Sequence, residues 1–184
     1  MKFWFAFLVV AGSALAHADD DSIGLLELVN YYEYSAALAS SGQPTREQFA
    51  AIRAAGIEAI INLAPVTDPT ALADEGDIVA THGIAYVHIP VDWDKPTATD
   101  VARFFAAMCE FAGRRILVHC YAGSRASAFV YLYRVLEQDA SRSDSHATLQ
   151  DIWDNNPGYE LPNVPQWLAL LEQVEREPAV VNRP

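Results

Sequence analysis

The chain has 184 residues, with 12 lysines and arginines against 24 acidic residues, and its formal charge at pH 7 is −12. This length suits one domain that buries its core without disulfides, and the presence of only 2 cysteines excludes a disulfide scaffold or a cysteine-rich zinc site. The acidity excludes nucleic acid and anionic membranes as partners, because Lys and Arg supply the affinity for phosphate.

Residues 1–18 have the pattern of a secretory signal peptide. A short basic start and the apolar run Phe3–Ala16 lead to Ala16-His17-Ala18, whose small residues are typical of a cleavage site. The run is shorter than the roughly 20 residues of a membrane span, so we expect cleavage after Ala18 and no stable membrane insertion afterwards. An uncleaved anchor is the alternative. The sequence therefore predicts one mature domain, residues 19–184, in the periplasm or secreted.

The mature chain alternates predicted strands and helices. Strands are expected at about 33–38, 58–63, 84–91 and 116–119, and helices at about 45–55, 68–82, 99–112, 125–137, 146–154 and 165–177. Asp68-Pro69, for example, is typical of a helix cap followed by a proline at the first helical position. This alternation predicts an α/β domain of three layers, with a mostly parallel central sheet and helices on both faces. The C-terminal helices within 146–177 belong to the same domain.

The segment with the most candidate catalytic residues lies at the end of the strand at 116–119. Cys120 ends this strand, Gly123 allows a tight turn, and Arg125 opens the next helix. Backbone N–H groups at a helix start can form a nest for an oxyanion, and an arginine can bind two of its oxygens. The same positive field favours the thiolate of Cys120, which is the nucleophilic form of cysteine. The alternative is an inert packed cysteine, but the spacing of Gly and Arg favours a nucleophile.

The stretch from His119-Cys120 to Arg125 resembles the signature loop of the cysteine-dependent protein tyrosine and dual-specificity phosphatases. Ile60–Ala64, Gly83–Asp92 and the Pro96-Thr97 helix entry occur in the order that such domains use. The resemblance covers roughly residues 34–140 and is closest to a bacterial phosphatase-like group described as a domain of unknown function. It implies a dual-specificity-phosphatase-like fold and a phosphate-bearing substrate, either a protein or a small molecule.

The resemblance also implies roles for the loop. Cys120 would attack phosphorus, Arg125 would bind the oxyanion, and His119 would brace the loop, although a histidine at a strand end is as often a core residue. The other expected substrate-binding residues are Tyr121, Ala122, Gly123, Ser124, Ala126 and Ser127. The hydroxyl of the family falls on Ser127 if the loop is aligned without a gap, and Ala126 takes its place if the arginines are aligned.

A phosphatase also needs a general acid to protonate the leaving oxygen. Relatives carry an aspartate on the loop after the preceding strand, which here reads Asp92-Trp93-Asp94-Lys95-Pro96. Aligning the proline puts Trp93 on the usual aspartate position. Asp94 is the favoured acid, since Asp92 directly follows the strand and can brace the loop. The alternative is that both are solvated turn residues.

The loop departs from the phosphatase signature in length. Four residues separate Cys120 from Arg125, whereas the phosphatase signature has five. A six-residue loop is the length that rhodanese sulfurtransferases use to hold a persulfide, and a shorter loop encloses a smaller anion. Three functions follow: a phosphatase that forms a phosphocysteine, a sulfurtransferase that carries a persulfide on Cys120, and an anion-binding module without turnover.

The sequence predicts neither a metal nor a cofactor. His82, His88 and His146 are scattered, and no metal-ligand spacing occurs among them. Cys109 is expected on the helix before Cys120 as a buried free thiol. The predicted elements place it too far from Cys120 for a disulfide, which needs Cα atoms within about 7 Å.

Overall fold

A computed structural model describes residues 24–181 of the chain. The predicted signal peptide, residues 1–18, lies outside this range, so its cleavage stays a prediction. The elements in chain order are β1 (Tyr32–Ser35), β2 (Leu38–Ser41), α1 (Gln48–Ala54), β3 (Ala59–Asn62), α2 (Glu75–Thr81), β4 (Ala85–His88), α3 (Ala98–Glu110), β5 (Ile116–His119), α4 (Ser124–Glu137), α5 (Arg142–Asp154) and α6 (Pro165–Arg176). Short 3-10 helices lie at Leu161–Asn163 and Pro178–Val180. Within residues 24–181, no helix is long and apolar enough to cross a membrane.

The sheet has five strands in the order β1-β2-β5-β3-β4. β1 pairs with β2 in the antiparallel direction, and all other neighbours are parallel. Every residue of β5 is buried, as its place between β2 and β3 requires. Because the parallel strands share one direction, the carboxyl ends of β2, β3, β4 and β5 meet at one edge of the sheet. In sheets of this kind, ligands bind at that edge.

A hydrophobic core lies on each face of the sheet. Side chains alternate along the strands, so Ile61 and Val118 belong to a cluster that includes residues of α3 to α6. Their neighbours Ile60 and Leu117 belong to a second cluster, with residues of α1 and α2. Helices therefore cover both faces. The predicted α/β class, with three layers and a mostly parallel sheet, is confirmed.

Two of the predicted elements differ most from the structure. The strand expected at 33–38 is a hairpin, because the chain turns at Ala36-Ala37 and pairs β1 with β2. The helix expected from Asp68 begins only at Glu75, since the Asp68 carboxylate binds Arg125 instead of capping a helix. Residues 63–74 therefore form a long irregular connection, which we call the β3 loop.

The other long connection at this edge, residues 89–97, is called the β4 loop. It ends where α3 begins, at a capping box formed by Thr97 and Asp100. The Thr97 hydroxyl oxygen accepts the Asp100 N–H at 3.2 Å, and the Asp100 carboxylate accepts the Thr97 N–H at 3.0 Å. Further along the chain, α5 begins at Arg142 and not at the expected residue 146, because Ser141 caps it.

Candidate active site

Residues 120–125, the Cys loop, lie at the carboxyl end of the central strand β5. Cys120 follows this strand directly, and α4 begins at Ser124, one residue before the predicted start at Arg125. Gly123 makes the turn with a φ of 96°, a left-handed conformation in which a side chain would be strained. Its N–H donates a hydrogen bond to the Cys120 sulfur at 3.2 Å. The sulfur is therefore held against the loop backbone.

Most backbone N–H groups of the Cys loop and the start of α4 have no acceptor. Within the part of the chain that the structure describes, this holds for the backbone N–H groups of Tyr121, Ala122, Ser124, Arg125 and Ala126. The last three lie in the first turn of α4, where N–H groups have no partner inside a helix. Free N–H groups at a helix start attract anions, helped by the positive end of the helix dipole. The Cys loop can therefore bind an anion beside the sulfur.

Arg125 lies beside this nest of N–H groups and is ion-paired. Its two terminal nitrogens donate to the two carboxylate oxygens of Asp68, at 2.6 and 3.3 Å. The guanidinium carbon lies 5.6 Å from the centre of the Trp93 ring. The Arg125 side chain is 6% exposed, and its Nε is buried without a hydrogen-bond partner among residues 24–181. One nitrogen thus has no partner among residues 24–181, while the other two hold Asp68.

A cavity of about 590 Å³ opens over the Cys loop. Its polar lining consists of Gln43, Asp68, Thr70, Cys120, Ser124, Arg125 and Asn156. Its apolar and aromatic lining consists of Val29, Pro69, Trp93, Tyr121, Ala122, Pro157 and Tyr159. Val29, Tyr121 and Tyr159 are among the most exposed large hydrophobic side chains of the described chain. The cavity therefore combines a polar floor with an aromatic rim.

The two predicted general acids, Asp92 and Asp94, are exposed and do not line this cavity. The Asp92 carboxylate accepts the backbone N–H of Asp94 at 2.8 Å, so the two acids form a local turn. Trp93, which lies between them, faces the cavity instead. Its ring packs 5.3 Å from the ring of Trp167, and its carbonyl accepts the Trp167 indole N–H at 3.0 Å.

A buried polar network lies behind the Cys loop. His119, which precedes the nucleophile candidate, forms a hydrogen bond from its Nε2 to the Glu75 carboxylate at 2.8 Å. Glu75 also accepts hydrogen bonds from the side-chain amides of Gln43 and Asn62. Both His119 and Glu75 are fully buried. This network ties the end of β5 to the first residue of α2, which fits the bracing role expected of His119.

Hydrogen bonding decides the charge of Glu75. Burial by itself would raise the pKa of this carboxyl, but the hydrogen bond and charge of His119, with the bond from Gln43, bring its pKa below the ordinary value of 4.5. Burial, together with the negative charge of Glu75, raises the pKa of the neighbouring Tyr86. The network therefore holds a carboxylate in the protein interior.

The remaining predicted residues divide into two groups. Tyr121, Ala122 and Ser124 line the cavity, whereas Ala126 and Ser127 are buried beneath it. The Ser127 hydroxyl donates to the Ser124 carbonyl at 2.9 Å and accepts the indole N–H of Trp153 at 3.1 Å. Ser127 therefore links the start of α4 to α5.

Asp68, Asn156 and Tyr159 line the cavity although the sequence does not single them out as site residues. One feature could have indicated Asp68: it follows β3, a parallel neighbour of β5, so it lies at the same edge of the sheet as Cys120. Asn156 donates to the Ser124 hydroxyl at 3.2 Å from a turn beyond α5, and no local pattern indicates that contact.

The two cysteines are free thiols. Cys109 is exposed on α3, so the expectation of a buried thiol is wrong; it falls on the outward side of a helix whose other side packs on the sheet. Among residues 24–181, no group of three or more His, Cys, Asp or Glu side chains could hold a metal ion.

Known proteins share this fold and sequence pattern. A protein from Shewanella putrefaciens, described as a candidate phosphatase of the DUF442 group, has a solved structure with a TM-score of 0.73 and 38% identity, covering 84% of this chain and 94% of that one. TpbA from Pseudomonas aeruginosa shares the fold with a TM-score of 0.60 at 17% identity, covering 84% of this chain and 92% of that one.

A curated relative and a family model complete the comparison. The beta-lactamase hydrolase-like protein of Xylella fastidiosa is 30% identical over 134 residues, or 71% of this chain. This chain spans only 30% of the length of that relative. The family described as "DSP-PTPase phosphatase fused to NAD+ Kinase" matches residues 24–158. The chain belongs to this family, and its described part is a domain of the cysteine-dependent phosphatase superfamily.

Proposed function

We propose that this protein hydrolyses a phosphate monoester with Cys120 as the nucleophile. One observation carries the proposal: the Cys120 sulfur lies at the floor of a cavity, beside unused N–H donors and the free Nε of Arg125. A thiolate beside an oxyanion site can attack a bound phosphoryl group. Membership of the phosphatase superfamily supports this chemistry.

The proposed reaction has two steps. The Cys120 thiolate attacks phosphorus, the bond from phosphorus to the ester oxygen breaks, and the oxygen leaves as an alcohol after it takes a proton. The loop N–H groups and Arg125 stabilise the negative charge on the phosphoryl oxygens in the transition state. Water then attacks the phosphocysteine, and the bond from sulfur to phosphorus breaks. Inorganic phosphate leaves and the thiolate is restored.

The lining of the cavity favours an aromatic or apolar alcohol. Arg125 is the only cation among the described residues that line the cavity, and Asp68 offsets its charge. Such a site disfavours a substrate that carries several phosphates. The rings of Trp93, Tyr121 and Tyr159 offer surfaces on which an aromatic group can pack. We therefore propose a single phosphate on an aryl group, in a protein or a small molecule.

We propose further that the enzyme acts after export. The pattern of residues 1–18 supports removal of a signal peptide and a periplasmic or secreted mature protein. Fractionation of cells that express the full chain tests this proposal. A mature N-terminus at Asp19 in the periplasm or the medium supports export, and a full-length chain in the cytoplasm contradicts it.

Sulfur transfer is the second candidate, favoured by the short Cys loop and by the position of the predicted acids. In this reaction the Cys120 thiolate would attack the outer sulfur of thiosulfate, sulfite would leave, and a persulfide would remain on Cys120. Sulfite departs without protonation, so the exposure of Asp92 and Asp94 outside the cavity would not matter. A later nucleophile, such as cyanide, would take the outer sulfur and restore the thiolate.

One purified protein distinguishes these functions. We expect hydrolysis of 4-nitrophenyl phosphate, reduced more than about 10³-fold in Cys120→Ser. Cys109→Ser is the matched control, because this exposed thiol lies outside the cavity and its loss should leave the rate unchanged. Transfer of sulfur from thiosulfate to cyanide without phosphatase activity would replace the first proposal with the second. Phosphate binding with neither activity would indicate a binding module.

A further inference from the structure

The β3 loop brings one carboxylate, that of Asp68, to the cavity. Asp68 lines the cavity, its side chain is 16% exposed, and both of its oxygens face the terminal nitrogens of Arg125. The other titratable groups that line the cavity are Cys120, Tyr121, Arg125 and Tyr159. Asp68 is therefore the only carboxylic acid among the described lining residues.

The pairing of Arg125 places Asp68 next to the anion site without blocking it. Two guanidinium nitrogens hold Asp68, and Nε has no partner among the described residues. A phosphoryl group in the Cys loop can therefore contact Nε and the loop N–H groups while the carboxylate stays on the adjacent side of the same guanidinium. This leaves Asp68 beside the bound group, where the ester oxygen can reach it.

Substrate binding brings negative charge close to Asp68. The attacking thiolate and a phosphate dianion bring three negative charges into a cavity that contains one arginine. An ionised Asp68 would add a fourth in a partly buried site, where repulsion between like charges is strong. A neutral carboxylic acid at Asp68 would avoid this repulsion, and it is the form that the leaving oxygen requires.

We propose that Asp68 is the general acid of this hydrolysis, in place of Asp92 and Asp94. The assignment rests on the proposed phosphatase function. As the bond between phosphorus and the ester oxygen breaks, the Asp68 hydroxyl gives its proton to that oxygen, and a neutral alcohol leaves. The resulting carboxylate then accepts a proton from the water that attacks phosphocysteine, so Asp68 returns to its protonated state.

A series of leaving groups tests the assignment. Departure of 4-nitrophenolate needs little protonation, whereas departure of an alkoxide or of plain phenolate needs much. Asp68→Asn should therefore lower kcat about 10²–10³-fold for phenyl phosphate, but less than about tenfold for 4-nitrophenyl phosphate. It should also remove the alkaline limb of the pH profile. Asparagine keeps only one of the two oxygens that accept from Arg125, so the unfolding temperature should fall, but a loss of stability does not depend on the leaving group.

Asp74→Asn is the matched control. Asp74 lies in the same loop and is ion-paired to Arg46, but it is exposed and outside the cavity, so its loss should have no dependence on the leaving group. A loss in Asp68→Asn that is equal for all leaving groups would assign Asp68 a purely structural role and overturn the proposal. So would a leaving-group-dependent loss in Asp94→Asn. If the wild type hydrolyses no aryl phosphate at all, the proposed function fails first and the assignment fails with it.

Discussion

The β3 loop and the β4 loop leave neighbouring strands at the same edge of the sheet, yet they bring different chemistry to the cavity. The β3 loop places the Asp68 carboxylate on the Arg125 guanidinium. The β4 loop places the Trp93 ring near the same guanidinium and leaves Asp92 and Asp94 in solvent. One loop supplies a carboxylate, and the other supplies an apolar wall.

The difference comes from what anchors each loop. Trp93 points inward because it packs against the aromatic side chains of Trp153, Tyr159 and Trp167. In the turn that Asp92 and Asp94 form, burial of the Trp93 ring leaves the two flanking carboxylates exposed. The Asp68 carboxylate faces the cavity because it is ion-paired with Arg125. A carboxylate is thus held in this cavity where an opposite charge pairs with it. A sequence position next to the family's aspartate, as for Asp92 and Asp94, is not enough.

The largest effect should come from breaking the link between the β3 loop and the Cys loop. Arg125→Lys removes the planar fork that holds Asp68 and can bind an anion oxygen, and we expect kcat/KM to fall about 10²–10³-fold. Steady-state kinetics with 4-nitrophenyl phosphate measures this loss. Lysine keeps the positive charge and loses only the planar arrangement of donors. Activity within about threefold of wild type would therefore mean that a single positive charge is sufficient and would contradict a role for the planar guanidinium.

The next largest effect should come from the anchor of the β4 loop. Trp93→Ala removes a half-buried ring from an aromatic cluster, so we expect the free energy of unfolding to fall by about 3 kcal/mol. Denaturant unfolding measures the change. Trp93→Phe is the control, and the retained ring should recover more than half of the loss. A change below about 1 kcal/mol in Trp93→Ala would show that the loop is held elsewhere.

Glu75, where the β3 loop ends, should give a smaller and pH-dependent effect. Its pKa is lower in the folded chain than the ordinary 4.5, so its carboxylate stabilises the fold above pH 4.5 and this contribution disappears as pH falls through the lowered pKa. Glu75→Gln should therefore cost about 2 kcal/mol at pH 7. The difference from wild type should shrink as unfolding is measured at successively lower pH. A constant difference would contradict the charged network.

The smallest effect should come from the exposed acids of the β4 loop. Asp92→Asn and Asp94→Asn should each change the free energy of unfolding by less than about 0.5 kcal/mol, because neither carboxylate is buried. Their kcat/KM for aryl phosphates should stay within about twofold of wild type. A tenfold loss in either variant would mean that the β4 loop moves its acid into the cavity during catalysis.

The Cys loop was open to prediction because local patterns determine it. The apolar run 116–119 makes a buried strand, Gly123 permits the turn, and a helix pattern follows. The role of Asp68 was hidden because it depends on Arg125, which lies 57 positions further along the chain. Its own neighbourhood, Asp68-Pro69, favours a helix cap, and the tertiary ion pair overrides this local preference.

Distant parts of the chain also determine the β4 loop and the first predicted strand. Sequence alone places Trp93 at the family's aspartate position, but the cluster that turns this ring inward is assembled from α5, α6 and the turn between them. The hairpin of β1 and β2 depends on pairing at the edge of the sheet. Ala36-Ala37, where the chain turns, contains no residue that is typical of a turn. Long-range contacts decide both features.

The proposed hydrolysis depends on attack of the Cys120 sulfur on phosphorus. Rapid quenching of the wild-type protein during turnover of an aryl phosphate, followed by mass spectrometry of the peptide that contains Cys120, tests it directly. We expect a phosphoryl group on the Cys120 sulfur, formed in step with the first turnover and missing from Cys120→Ser. Turnover of the ester with an unmodified Cys120 peptide at every quench time, at an undiminished rate in Cys120→Ser, would contradict the claim.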